Sequence, residues 1–239
     1  MKGILIFTAC LLFGITAGYG QSVAAGGQNR EKTRKLKFCG YKYDDVALLR
    51  KHFEQQLAFL HIQDGDTIVD IGSSSGAYIG AINVIADFKH AHFILVDIDD
   101  DCLNADKVHN MIAYYEDLKG ASFNNSIGFV VNTTDSLYLP LNSQRKMWIF
   151  NTLHEIPDKA GIIKQMAAVL KTGGEIIVAE LLATDKHTIH QGCKKPLMTQ
   201  AEITKLMQDE GFVFKDIAVN TLPVKKIINP YCLFRFVKQ

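Results

Sequence analysis

The sequence lacks an excess of charge of either sign. Its 239 residues contain 26 Lys and Arg against 25 Asp and Glu, which gives a formal net charge of +1. No block of five or more like charges occurs along the chain. Because a nucleic-acid-binding surface needs clustered basic residues, we expect no nucleic acid among the partners of this protein.

Cysteine is scarce, and no two cysteines form a C-x-x-C pair. An exported protein could pair its cysteines in disulfides. A chain of this length with 48% hydrophobic residues buries a full core without such cross-links, however. The fold therefore does not require disulfides, and the sequence leaves the disulfide state of the cysteines open; they stand at Cys10, Cys39, Cys102, Cys193 and Cys232.

Long apolar runs are also missing, except at the N-terminus. Met1-Lys2 precedes an uncharged run from Gly3 to about Gly18, and small residues follow it. The run is short for a membrane span of about 20 residues, and the pattern is typical of a secretory signal peptide. We predict a signal peptide over residues 1–20, export to the periplasm or the exterior, and a mature form without a membrane span. The alternative is an uncleaved membrane anchor formed by residues 3–18.

The rest of the chain divides into an extension and one domain. Residues 21–43 are rich in Gly, Gln and Lys and are predicted to form a linker or N-terminal extension, with a solvated stretch at 30–37. The domain then covers residues 44–239. Helical patterns alternate in it with strands predicted at 67–71, 92–97, 127–132, 147–151 and 175–180.

This alternation predicts an α/β fold with a doubly wound, mostly parallel sheet. Gly173-Gly174 is expected to end the helix predicted over 158–171. Two apolar runs at 212–219 and 231–237 have no helix between them, which indicates an antiparallel hairpin at the end of the sheet.

A small turn follows the first strand and carries the clearest functional signal. Asp70 lies in the strand, and Gly72 and Gly76 enclose three serines before a helical stretch begins at Ala77. Such a turn lets the backbone approach a ligand, and the helix behind it offers free N–H groups. The dinucleotide fingerprint requires Gly where Ser74 stands, so the turn favours a nucleotide-like cofactor without a pyrophosphate.

The turn resembles motif I of the class I S-adenosylmethionine (SAM) methyltransferases, in which Ser74 replaces the middle glycine. Four further stretches are similar to that family in the same order. They are Asp97-Ile98 after the second strand, Thr134–Pro140, the run from Trp148 through Asn151 and His154 to Gly174, and Leu197–Phe212. Together the matches cover the chain from about residue 60 to its end.

The resemblance implies a Rossmann-like sheet of seven strands in the order 3-2-1-4-5-7-6, with the last strand antiparallel. It implies SAM as the cofactor and a small molecule as the methyl acceptor, with O- or C-methylation expected before N-methylation. Asp97 would bind the ribose hydroxyls and Ile98 the adenine face. The cofactor-binding residues implied by the matching motifs are Asp70, Gly72, Ser74, Gly76, Asp97, Ile98, Asp135, Ser136 and Asn151.

An acceptor that carries a proton needs a base, and His154 just beyond the fourth strand is the candidate, with Glu155 beside it. Tyr41, His190 and Cys193 are candidates for contact with the acceptor, because the segments that carry them border that site in the resembled family. His187, His190 and Cys193, with Cys39 as a fourth ligand, could form a zinc site. One local triplet without a second ligand pair is insufficient, and we expect no metal.

Two other functions remain open at this stage. An exported protein of the same fold could bind SAM or a nucleoside without catalysis, because SAM is made in the cytosol and the middle glycine is absent. An NAD(P)-dependent oxidoreductase fits less well, since the spacing of the turn and the terminal hairpin oppose it. The sequence leaves the identity of the acceptor and the oligomeric state open.

Overall fold

The structure of this protein, a computed structural model, describes residues 30–219 and 228–239. The predicted signal peptide and the alternative anchor at residues 3–18 therefore lie outside the described residues. Within those residues, no helix is both long enough and apolar enough to cross a membrane.

The fold is organised by one seven-stranded sheet with the order β3-β2-β1-β4-β5-β7-β6, which confirms the predicted topology. The first five strands pair in parallel, and β7 runs antiparallel to both of its neighbours. The strands are β1 Thr67–Ile71, β2 His92–Asp97, β3 Ser126–Val131, β4 Gln144–Phe150, β5 Leu170–Leu181, β6 Phe212–Ala218 and β7 Tyr231–Lys238.

Helices cover both faces of this sheet. The first of two apolar clusters joins one face of the sheet to α2, α3 and α4, and the second joins the other face to α5 and α6. Burial on both sides explains why the central strands are almost wholly apolar. The described helices are α1 Arg30–Thr33, α2 Val46–Leu60, α3 Ala77–Ile85, α4 Ala105–Lys119, α5 Lys159–Val169 and α6 Gln200–Asp209.

Local capping signals place several helix starts correctly. The Asp45 carboxylate accepts hydrogen bonds from Ala47 N and Leu48 N at the start of α2. At α6, the Thr199 hydroxyl and the Glu202 carboxylate form the predicted capping box. These contacts satisfy backbone N–H groups that have no partner inside the helix.

The prediction for Gly173-Gly174 is wrong. Helix α5 ends at Val169, and β5 begins at Leu170 and contains both glycines. A Cβ atom on Gly174 would lie 2.9 Å from the carbonyl oxygen of Lys171 and 3.0 Å from that of Arg145. Gly174 is therefore required where β5 closely approaches β4, and it does not terminate a helix.

The stretch predicted to be solvated at 30–37 is also in contact with the domain. Thr33 is buried, and its hydroxyl donates a 2.7 Å hydrogen bond to the Asp117 carboxylate in α4. Directly after this stretch, the Phe38 ring packs on Tyr114 and Tyr115, with ring centroids 5.4 Å and 5.9 Å away. Apolar and polar contacts with α4 thus hold this part of the extension on the domain.

Two of the cysteines, whose pairing the sequence left open, form a disulfide although the core does not require one. Cys39 and Cys102 form a disulfide across 63 residues of sequence, with their Cα atoms 5.5 Å apart. The fold brings them together because the extension lies over the segment that precedes α4. Cys193 and Cys232 are free thiols, and Cys10 lies outside the described residues.

The acidic side chains of Asp70 in β1 and Glu180 in β5 are buried within the sheet. Asp70 in β1 is only 3% exposed, and its strand neighbours are apolar. Burial, assisted by the charge of Asp97, raises the pKa of Asp70 to about 8. The folded protein therefore holds a proton on this carboxyl at pH values where the unfolded chain has released it.

This difference predicts that stability falls as the pH rises. Between the ordinary carboxyl pKa of 3.8 and the folded value of about 8, folding takes up a proton at Asp70. The free energy of unfolding should fall by about 1.4 kcal/mol per pH unit across that window relative to Asp70→Asn. Urea denaturation of both proteins at about pH 5, 6 and 7 measures the two slopes, and equal slopes would contradict the prediction.

Candidate functional site

The turn after β1 has an unusual backbone. Gly72, Ser74 and Gly76 all have positive φ values, of 71°, 51° and 79°. A Cβ atom on Gly72 would lie 2.2 Å from the Thr152 side chain, and one on Gly76 would lie 2.6 Å from the Leu95 side chain. Both glycines are therefore needed for close packing as well as for the turn itself.

The carboxylate of Asp97 lies against this turn. Its Oδ2 accepts a 2.7 Å hydrogen bond from Ser74 N, while Oδ1 accepts from Ile98 N and Asp99 N at 2.8 Å and 3.1 Å. Three backbone donors thus fix the orientation of the carboxylate. Ile98 is 57% exposed, so it presents an apolar surface beside the acid.

The remaining predicted cofactor residues follow β3 and β4 at the same edge of the sheet. Asp135 is exposed and accepts a 3.2 Å hydrogen bond from the Thr134 hydroxyl, and Ser136 is half-buried. Asn151 is exposed in a left-handed conformation, with φ of 51°, and its N–H donates to the carbonyl oxygen of Ala179. Among the described residues, no hydrogen bond joins Asp135 to the turn or to Asp97.

His154 occupies a buried position beyond β4. Its side chain is 1% exposed, and Nδ1 lies 2.7 Å from Glu180 Oε2 at the end of β5. Since a carboxylate accepts here, the imidazole carries its proton on Nδ1. Nε2 has no hydrogen-bond partner among the described residues, and Glu155 Oε1 is 3.7 Å from it.

His190 and Cys193 meet His154 at this point. The rings of His154 and His190 have centroids 4.7 Å apart, and His190 Nδ1 lies 3.0 Å from Cys193 Sγ. Burial and the neighbouring His154 lower the pKa of His190, which favours the neutral imidazole. The fold thus brings together four of the five residues that were predicted for catalysis or acceptor contact, since Glu155 also lies beside His154.

Tyr41 lies on the extension and is 70% exposed. Its carbonyl oxygen accepts a hydrogen bond from the Tyr115 hydroxyl, and its ring contacts that of Tyr43 at 4.6 Å. One residue before it, a Cβ atom on Gly40 would lie 2.7 Å from Ala77 Cβ. The segment that carries Tyr41 therefore crosses the first residue of α3, directly behind the turn.

Three residues of the site escaped prediction. Ser75 is buried, and its hydroxyl accepts from Cys39 N and donates to the Cys102 carbonyl, so it joins the turn to the disulfide. Thr152 packs on Gly72. Glu180 is an acid near the end of an apolar strand, as Asp97 is. The same sequence signal that identified Asp97 could therefore have identified Glu180.

The residues around the turn fit SAM in their chemistry. Asp97 is a fixed carboxylate suited to a ribose diol, and Ile98 offers an exposed apolar surface next to it. No described side chain caps the start of α3, so its first backbone N–H groups can bind a ligand. The carboxylate of Asp97 lies directly against the turn through its hydrogen bond from Ser74 N, whereas the buried Asp70 carries a proton up to a pH of about 8.

Comparisons with known proteins agree with this fit. A profile of a methyltransferase domain family matches residues 62–212, which is more than half of the chain. No curated protein matches the sequence. The match to the methyltransferase family removes the oxidoreductase alternative.

Solved structures share the fold at low sequence identity. A SAM-dependent methyltransferase from Methanosarcina mazei is 17% identical, with a TM-score of 0.59 over 76% of this chain and 96% of that one. One from Aquifex aeolicus is 15% identical, with a TM-score of 0.55 over 88% and 99%. The phosphoethanolamine N-methyltransferase 2 of Haemonchus contortus, solved with phosphomonomethylethanolamine and S-adenosylhomocysteine (SAH), is 13% identical, with a TM-score of 0.55 over 79% and 52%. By its fold, its turn and its match to the family profile, this chain belongs to the methyltransferase domain family and is a SAM-dependent methyltransferase.

Proposed function

We propose that this enzyme methylates a small molecule at oxygen or carbon. The observation that carries the proposal is the buried pair of His154 and Glu180 beside the cofactor turn. SAM supplies an activated methyl group whose leaving group departs as a neutral thioether, so the protein needs no acid for it. Catalysis instead requires a base beside the acceptor, because an oxygen or carbon acceptor must lose a proton.

The proton requirement separates the acceptor classes. A hydroxyl or a carbon acid must lose a proton to become a good nucleophile, whereas a neutral amine already has a lone pair. Glu180 holds the Nδ1 proton of His154, which leaves the lone pair on Nε2 directed away from Glu180. That lone pair can take the acceptor proton itself, or hold a cation that lowers the pKa of the acceptor.

The cofactor-binding role of the turn is part of the same proposal. Asp97 would accept the two ribose hydroxyls, and Ile98 would pack on the adenine. Asp135 and Ser136 would lie at the far end of the adenine, and Asn151 would line the site from β4. The turn after β1 would hold the cofactor through Asp70, Gly72, Ser74 and Gly76.

The role of Asp97 can be tested by removing its carboxylate. Asp97→Ala should weaken SAH binding by at least about 100-fold, because two hydrogen bonds to a charged group are lost. Calorimetric titration with SAH measures the affinity. Asp100→Ala is the matched control, since it removes an exposed acid three residues away. A change of less than threefold in Asp97→Ala would refute the assignment.

The role of His154 can be tested by separating turnover from cofactor binding. His154→Gln should lower kcat by about 100-fold or more while SAH affinity stays within threefold, because the residue acts on the acceptor side. SAH release is followed over a panel of phenols, aliphatic alcohols, carbon acids and amines. His109→Gln in α4 is the control. Turnover of amines alone, or of no small molecule, would overturn the proposal on the acceptor.

We also propose that the protein is exported. The apolar N-terminal run supports this, and so does the Cys39–Cys102 disulfide, because such bonds persist in oxidising compartments. The mature chain should begin at Gln21. Cell fractionation followed by N-terminal sequencing of the native protein checks this, and a cytosolic protein that retains Met1 would contradict it.

A further inference from the structure

The site contains a second group of polar side chains whose arrangement the methyl donor does not require. His154, His190 and Cys193 each offer one metal-ligating atom, and these three atoms lie within 4.8 Å of one another. The residues come from two separate segments, the loop after β4 and the loop between β5 and α6. The cluster is therefore a product of the tertiary fold.

Burial leaves one of these donors without a partner. His154 Nε2 is enclosed and makes no hydrogen bond among the described residues. A buried polar atom without a partner costs about 1–3 kcal/mol, so an arrangement that keeps one calls for a ligand. Since Glu180 holds the opposite nitrogen, Nε2 is the atom of His154 that remains for that ligand.

The contact with Glu180 is the arrangement that accompanies metal-binding histidines. A histidine that ligates a metal through one nitrogen usually donates its other N–H to a carboxylate, which fixes the ring and raises its basicity. Here the Nδ1 to Oε2 distance is 2.7 Å, and both side chains are almost fully buried. His154 is thus oriented before any ligand binds.

The loop that carries the other two donors is also ordered by its own hydrogen bonds. His190 N donates to the Lys195 carbonyl at 2.9 Å, Lys194 N donates to the His190 carbonyl at 3.1 Å, and Ile189 pairs with Pro196. Cys193 N donates a 3.2 Å hydrogen bond to His190 Nδ1. This tight turn keeps the imidazole and the thiol on the same side of the loop.

We propose that His154, His190 and Cys193 bind one zinc ion, with the fourth position open towards the acceptor. Two imidazoles and a thiolate form a ligand set that zinc prefers over magnesium or calcium. Donor atoms of a tetrahedral zinc site lie about 3.4–3.6 Å apart. The three donor atoms here lie within 4.8 Å of one another, so small side-chain rotations suffice to reach that spacing.

The fourth coordination position of the zinc ion would hold the methyl acceptor, and this role rests on the proposed acceptor chemistry. Three protein ligands with an open site are typical of catalytic zinc. An acceptor hydroxyl bound there would release its proton to Glu155, whose Oε1 lies 3.7 Å from His154 Nε2 and whose side chain reaches solvent. The acceptor would then be held as an anion, and the oxidation state of zinc would not change.

This zinc site differs from the triplet visible in the sequence. His187 is absent from the group that the fold assembles, and Cys39 is engaged in a disulfide. His154, from a segment more than thirty residues away, takes the place of a local ligand. His187→Ala is therefore a matched control, since it removes a histidine of the same loop that the proposal leaves out.

The test is a metal titration of the mature protein. The protein is first stripped of metal with a chelator and kept under anaerobic conditions, and a thiol titration verifies that Cys193 is reduced. The protein should bind about one equivalent of Zn²⁺ with a Kd below about 1 μM. Added Co²⁺ should give the visible bands of a tetrahedral site and a thiolate-to-cobalt charge-transfer band. Both are readouts of the metal site alone and do not depend on methyl transfer.

The variants separate this site from other metal binding. Cys193→Ser should abolish the charge-transfer band, and His154→Gln and His190→Ala should each lower zinc affinity by at least about 100-fold. Glu180→Gln should lower it by about 10–100-fold through its effect on His154. His187→Ala should stay within twofold of the unmodified protein.

The outcomes are distinct from those that test the acceptor proposal. SAH binding is measured on every variant, and its retention shows that the variant is folded and that its cofactor site is intact. Less than about 0.2 equivalents of zinc on folded protein would overturn the zinc site, even if turnover of a hydroxyl acceptor continued. An equal loss of affinity in His187→Ala would overturn the ligand assignment.

Discussion

The position of β1 between β2 and β4 is the constraint on which the site depends. Because these three strands are parallel and adjacent, their carboxyl ends lie at the same edge of the sheet. The turn at Gly72, the carboxylate of Asp97 and the loop from Asn151 to His154 therefore converge, although up to 80 residues of chain separate them. The close packing of Gly72 against Thr152 is the direct contact between the first and the last of these segments.

The sheet was predictable because its signals are local. Apolar runs, capping residues and the glycine turn each act within a few residues, and their order in the chain is enough to specify the parallel topology. The incorrect prediction for Gly173-Gly174 arose because a glycine after a helix can be present for either of two physical reasons. Gly174 stands after a helix, as a terminating glycine would, yet it is needed for the approach of β5 to the backbone of β4.

The parts of the site that escaped prediction depend on contacts between distant segments. Cys39 and Cys102 pair only because the extension packs on α4, and nothing in the spacing of 63 residues indicates that contact. His190 and Cys193 were predicted to contact the acceptor, but their association with His154 follows from the return of the chain after β5. Sequence spacing pointed to His187 because spacing takes account only of residues that are close in the chain. It missed His154 for the same reason, since His154 reaches the group through the fold.

Ser74 shows how the turn keeps its geometry without the middle glycine. A residue with a Cβ atom in the left-handed region costs about 1–2 kcal/mol. The N–H of Ser74 donates a 2.7 Å hydrogen bond to the charged carboxylate of Asp97, and such a bond contributes about 1.5–3 kcal/mol. The conformation is thus stabilised by Asp97, the residue that we propose binds the ribose. The absence of this glycine is therefore no argument against a working cofactor site, because the backbone still adopts the conformation of the turn.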